Sequence, residues 1–130
     1  MQPLAPPDSG QYPQGKTGLA RLLHTLLYAR DGFLTALRYD AAFRQLLALH
    51  GLLILTAFCV NLDAAERALL LALSLVSLVV ELLNAALEAV VDRISLEIHP
   101  LSKNAKGMGS AAQSMALLTV AAVWTVVLWG

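Results

Sequence analysis

Glu81, Asn84, Glu88 and Asp92 stand in a stretch of sequence that is otherwise almost wholly aliphatic, with Ser74 and Ser77 just ahead of them. At about 100° per residue of α-helix these six fall within an arc of roughly 80°, so they form one polar stripe. An acidic side chain near the middle of a bilayer costs on the order of 3 kcal/mol, and two in one apolar run need partners, protonation or a metal. Two carboxylates seven residues apart can divide labour, the deeper one shifted towards the neutral form and the one nearer water kept ionised. Asn84 between them can donate to an anion and accept from a hydroxyl. An interhelical hydrogen-bond ladder, a proton relay or an ion path fits the same spacing. The next segment, residues 92–107 (DRISLEIHPLSKNAKG), weighs against those three. Its Glu97, His99, Ser102, Lys103, Asn104 and Lys106 supply the groups that a polyphosphate and its metal require.

Such a stripe needs a membrane to be worth hiding from, and the composition supplies the case for one. Of 130 residues, 58% are hydrophobic and 14% charged, more apolar material than a soluble domain of this length can bury. Formal net charge is zero and the basic residues form no dense cluster, which argues against nucleic acid as a partner. The single cysteine, Cys59, has no intrachain partner and lies in an apolar run. Residues 1–16 are rich in Pro, Gly and Gln and lack the apolar core of a signal peptide, so they are expected to be a disordered cytoplasmic tail.

From 18 to 38, Leu19, Leu22, Leu23, Leu26, Leu27, Phe33, Leu34 and Leu37 recur at steps of three and four. Arg21, His24, Arg30, Asp31 and Arg38 take the other side, the pattern of an amphipathic helix lying in a membrane interface. Three spans are expected at about 44–62, 68–91 and 109–129. The stretch 92–107 reads as a long loop, with Pro100 breaking any helix and Gly107 and Gly109 near the re-entry point. The resulting fold class is an all-α membrane protein, residues 17–130 forming one domain of a surface helix and three transmembrane helices. Lys16, Arg21, Arg30, Arg38 and Arg44 precede the first span and Arg93, Lys103 and Lys106 follow the second, whereas the intervening turn has only Arg67. That asymmetry places the N-terminus and the 92–107 segment in the cytoplasm and the C-terminus outside. Trp124 and Trp129 suit an outer aromatic belt, Arg67 a snorkelling anchor, and His50 an intramembrane polar residue with a partner.

The run from Glu81 to Arg93 (ELLNAALEAVVDR) resembles the signature of the prokaryotic diacylglycerol kinase family, the small trimeric membrane lipid kinases that include undecaprenol kinases. Ala41-Ala42-Phe43-Arg44, Glu97-Ile98-His99, Ala105-Lys106 and Met108-Gly109-Ser110 support it, and the resemblance extends from about Thr17 to Trp129. It implies ATP-dependent phosphorylation of a lipid hydroxyl at a bacterial inner membrane, with Mg²⁺ as cofactor and a homotrimer as the assembly. By the same resemblance Glu81 is the general base, Asp40 and Glu88 hold the metal, and Lys106 binds phosphate. Arg21, Tyr28, Asn84, Asp92, Glu97 and His99 line or support the nucleotide site, and Arg21, Glu81 and Ser110 meet the lipid.

Diacylglycerol is the expected acceptor, with undecaprenol as the alternative. A divergent member of low activity and a small oligomeric ion or proton transporter are the other readings. Two departures stand out. The family's glutamate is Asp40 here, one methylene shorter, and its acidic residue after the site lysine is Gly107, which predicts weaker hold on the nucleotide.

Overall fold

A computed structural model of the chain describes residues 18–130; the expected disordered tail over 1–16 lies outside the described residues. Four helices follow one another: α1 (Leu19–Tyr39), α2 (Ala41–Cys59), α3 (Ala64–Ile94) and α4 (Pro100–Trp129). Chain contacts divide into one unit ending at Thr35 and another from Ala36 to Gly130. In the first, Leu19, Leu22, Leu23, Leu26, Leu27, Phe33 and Leu34 are all exposed.

Each helix start in the second unit has a local chemical cause. Asp40 separates α1 from α2 by a single residue, and its Oδ1 accepts from the Phe43 amide at 3.3 Å as an N-cap. From within α2, Arg44 donates back to the carbonyls of Leu37 and Arg38 at 3.1 and 2.9 Å, satisfying the last turn of α1. At the start of α3 a reciprocal capping box forms. The Glu66 amide donates to Asp63 Oδ1 at 2.8 Å, and the Asp63 amide to Glu66 Oε1 at 3.2 Å. His99 caps α4, its Nδ1 accepting from the Leu101 amide at 3.1 Å.

Pro100 therefore starts a helix where the sequence pattern led us to expect a break. At the first helical position proline loses nothing, because its missing N–H has no intrahelical acceptor there and its fixed φ suits the helix. The expected loop over 92–107 shrinks to the connection between Ile94 and Pro100, and Lys103, Asn104, Lys106 and Gly107 ride on the first turns of α4. The helices are bounded differently from the expected spans: α2 begins three residues before the expected 44, α3 runs beyond both ends of 68–91, and α4 begins nine residues before 109.

In the second unit α3 is central, packed on α2 and on α4. The buried side chains are as polar as they are apolar: Phe43, Ala57, Leu70, Val91 and Val120 against His50, Ser74, Ser77, Glu81 and Gln113. Large aliphatic groups such as Leu52, Leu55, Leu83 and Leu118 are exposed at 62%, 64%, 66% and 69%. That inverts the usual distribution of a soluble core, and α2, α3 and α4 are each long and apolar enough to cross a membrane. Helices α3 and α4, of 31 and 30 residues, are about 45 Å long at 1.5 Å per residue. A hydrocarbon layer is about 30 Å thick. The excess belongs at the end where α3 carries Glu88, Asp92 and Arg93 and α4 carries Lys103 and Lys106.

Arg67, expected as a snorkelling anchor, has a more specific task. Its guanidinium donates to the carbonyls of Ala57, Val60 and Leu62 at 3.0, 3.3 and 3.2 Å and so closes the C-terminal end of α2, with its charge over the Phe58 ring at 5.7 Å. Replacing it with alanine strands these acceptors. Arg67→Ala should cost about 2 kcal/mol, read as a lower midpoint in detergent-denaturation curves; an unchanged midpoint would show that water satisfies the carbonyls equally well.

Candidate active site

The polar stripe of α3 is divided by depth. Ser74 and Ser77 are buried inside the bundle, Glu81 is 4% exposed, Asn84 half-buried, and Glu88 and Asp92 exposed. From Glu81 to Glu88 the stripe forms one wall of an open cleft of about 450 Å³. Asp40 at the head of α2, Gln45 on α2 and Ser110 and Gln113 on α4 complete its polar lining, while Leu46 and Leu49 give it an apolar side. Three helices thus bring Asp40, Glu81, Asn84, Glu88 and Ser110 together, five of the residues singled out from sequence.

Glu81 faces the carboxylates of Asp40 and Glu88 and the carboxamide of Asn84. No arginine or lysine makes an ion pair with Asp40, Glu81 or Glu88 among the described residues, where the pairs are Arg30–Asp31 and Lys106–Asp92. A cleft that gathers carboxylates without ion-pair partners suits a cation brought with an anionic substrate. No three His, Cys, Asp or Glu side chains among the described residues close into a ligand set by themselves. That partial set fits Mg²⁺, which is commonly held by one or two carboxylates with phosphate oxygens and water filling the rest. Asp40 has a second role unforeseen from sequence: one of its oxygens caps α2, which fixes the carboxylate at the rim of the cleft.

Close packing shapes the wall between α3 and α4. A Cβ placed on Gly109 would collide with the carboxamide oxygen of Asn84 and press on Leu87. Glycine at 109 is therefore what admits the Asn84 side chain against α4. Gly107 has no such duty, since a Cβ there meets nothing within 4 Å.

The remaining residues gather elsewhere. Asp92, Glu97, His99, Ser102, Lys103 and Lys106 line a second cavity of about 240 Å³ at the α3–α4 connection. Lys106 Nζ pairs with Asp92 Oδ1 at 2.7 Å, both side chains being a little over two-fifths exposed. On α3 the linings of the two cavities are one turn apart, Glu88 belonging to one and Asp92 to the other. His99 is engaged as the α4 cap. Arg21 and Tyr28 stand seven residues apart on α1, within the first unit.

Gln113 escaped the sequence analysis although it is 7% exposed and lines the first cleft. A lone glutamine in an aliphatic span was the available signal, because an intramembrane amide needs a partner as an acid does.

Known proteins resemble this chain along most of its length. The profile of a family described as prokaryotic diacylglycerol kinase matches residues 27–128. A diacylglycerol kinase of Pseudomonas aeruginosa is 54% identical over 117 residues, covering 90% of this chain and 95% of that protein. One from Escherichia coli is 40% identical over 113 residues, covering 87% and 93%, and one from Haemophilus influenzae is 39% identical over 108, covering 83% and 92%. Matches of this extent, over three helices able to cross a membrane, show that the chain is a membrane protein belonging to the prokaryotic diacylglycerol kinase family.

Proposed function

We propose that this protein transfers the γ-phosphoryl group of ATP to the free hydroxyl of diacylglycerol, forming phosphatidic acid. The observation that carries the reading is the convergence of Asp40, Glu81, Asn84 and Glu88 on one cleft with an apolar side, in a chain whose relatives are named diacylglycerol kinases. Those names favour diacylglycerol over undecaprenol as acceptor.

The chain's own residues divide the work. Glu81, deepest in the cleft, accepts the proton of the lipid hydroxyl as its oxygen bonds to the γ-phosphorus and the bond from that phosphorus to the leaving ADP oxygen breaks. Asn84, held against α4 by the gap at Gly109, orients the hydroxyl or a phosphate oxygen. Asp40 and Glu88 would hold Mg²⁺, which when bound neutralises charge on the phosphates. Lys106 exchanges its pairing with Asp92 for the nucleotide phosphates, and Glu97 and His99 border the cavity around it. Leu46 and Leu49 guide the acyl side, and Ser110 meets the glycerol. Helix α1, with Leu residues on one side and Arg21, His24 and Arg30 on the other, lies in the membrane interface as an amphipathic helix.

An open cleft on a three-helix unit has few walls, so a homotrimer in the bacterial inner membrane completes it. The active-site end of α3 and α4 faces the cytoplasm, where ATP is found, and the C-terminus faces the periplasm. Incubating the detergent-solubilised protein with labelled ATP and diacylglycerol tests the reading: labelled phosphatidic acid supports it, and none under magnesium-replete conditions refutes it.

Glu81→Gln keeps size and loses basicity. It should lower kcat by about 100-fold or more while nucleotide binding persists in an equilibrium assay; near-normal turnover would remove Glu81 from the role of base. Glu88→Gln should displace the magnesium activation curve to roughly tenfold higher concentration, and superimposable curves would make Glu88 structural. Gly107→Asp restores a carboxylate beside Lys106 at a position with room for it. A lower apparent KM for ATP or a higher kcat is expected, and a clear loss of activity would mean that the site has adapted to glycine.

A further inference from the structure

Beneath the cleft lies a polar layer to which all three long helices contribute. His50 of α2 and Ser77 of α3 are 0% and 1% exposed, and His50 Nε2 stands 2.9 Å from Ser77 Oγ. From α4, Gln113 Nε2 donates to the same oxygen at 3.3 Å. One serine hydroxyl thus ties α2, α3 and α4 together. Each member of the layer stands one helical turn from a residue that shapes the cleft. His50 follows Leu46 by four positions, Ser77 precedes Glu81 by four, and Gln113 follows Gly109 by four, where Leu46 and Glu81 line the cleft and Gly109 seats Asn84. Because α3 runs towards the end carrying Asp92 and Lys106 while α2 and α4 run away from it, all three steps lead to the same level. The layer is the floor of the site.

Helices in a bilayer gain no hydrophobic drive from packing on one another, so their mutual rotation rests on close contact and on interhelical hydrogen bonds such as these. A reacting group displaced by about 1 Å can lose roughly 100-fold in rate, whereas a single interhelical hydrogen bond contributes little to the stability of a membrane bundle. The floor therefore matters more to rate than to folding. We propose that Ser77 is a positioning residue: by engaging His50 and Gln113 at once, it fixes the rotation of α3 against α2 and α4, and with it the placement of the Glu81 carboxylate against the lipid hydroxyl. Ser77, buried one turn below, touches neither substrate. The inference rests on the lipid-kinase reading with Glu81 as base and goes beyond it. Lipid and nucleotide are held by other residues of the two cavities, so the effect falls on kcat and leaves KM.

The test measures kcat, and KM for diacylglycerol and for ATP, in wild type, Ser77→Ala, His50→Leu and His50→Gln, each assayed well below its denaturation midpoint. Ser77→Ala should lower kcat about 30-fold, a part of what a 1 Å misplacement costs, with both KM values within about twofold of wild type. His50→Leu should lower kcat about tenfold, because Gln113 still holds Ser77 from the other side. His50→Gln should recover most of that loss: Nε2 alone of the His50 ring is engaged, Nδ1 having no hydrogen-bond partner among the described residues, and a glutamine amide nitrogen reaches as far. The His50 pair carries the test if Ser77→Ala fails to assemble. Wild-type kcat in Ser77→Ala or in His50→Leu would overturn the proposal in favour of a purely structural cluster, and a raised KM at unchanged kcat would overturn it in favour of a role in binding. Equal losses in His50→Gln and His50→Leu would overturn it as well, since the hydrogen bond would then not be the cause. If wild type forms no phosphatidic acid, the lipid-kinase reading itself falls and takes this proposal with it.

Discussion

A carboxyl group placed between aliphatic turns of a membrane-spanning helix loses its hydration, and nothing in the hydrocarbon can replace the water it gives up. Glu81 sits under that constraint on α3, and the packing of the second unit answers it. Helix α3 takes the central place, between α2 and α4, so that the stretch of its polar stripe from Ser74 to Glu81 faces protein. The polar groups of the neighbouring helices follow, with Asp40 and His50 from the side of α2 and Ser110 and Gln113 from α4 arranged along the same line. What remains for the outside is aliphatic, which explains how a folded unit can leave Leu52, Leu83 and Leu118 so exposed.

Helix length then divides the stripe into zones. Because α3 and α4 exceed the hydrocarbon thickness by about 15 Å, one end of each stands in or beyond the headgroup layer. Along the stripe Ser77 and Glu81 are buried in the bundle, and Glu88 and Asp92, nearer the charged helix ends, are exposed. On the proposed reading, phosphate chemistry near Lys106 and an apolar lipid near Leu46 and Leu49 would be brought together along α3. If that reading holds, such a fold needs no separate nucleotide-binding domain, since the bilayer would present one substrate and the projecting helix ends would receive the other.

The cleft depends on small residues as much as on acidic ones. Gly109 lets α4 pass close to α3 where Asn84 stands, and Ser74 and Ser77 fill interior positions that a larger side chain would wedge apart. Interhelical packing in membranes relies on such residues because lipid supplies no hydrophobic drive between helices. Capping plays the corresponding part at the ends: Asp40, the Asp63–Glu66 pair, Arg67 and His99 satisfy backbone groups where helices start and stop. Two of those caps, Asp40 and His99, also border the cavities, so the groups that begin helices are placed by the same turns that open the site.

Sequence by itself determined the number and identity of the long helices, because unbroken aliphatic runs have no other stable form in a bilayer. It also determined the α3 stripe, since 3.6 residues per turn puts Ser77, Glu81, Asn84 and Glu88 on one face whatever surrounds them. The need of His50 for a partner was legible on the same ground, but the partner was not. Pro100 reads locally as a helix breaker, and only the path of the backbone made it the first residue of α4. Arg67 looked like a lipid-facing anchor until the end of α2 came within reach of its guanidinium. Tertiary structure alone decided that Asp40 and Ser110 border Glu81, that Lys106 pairs with Asp92, and that Gln113 belongs to the cleft. Periodicity reports the face of a helix, and a site is made where faces of several helices meet. That meeting depends on crossing geometry and close approach at residues such as Gly109, which no single helix encodes.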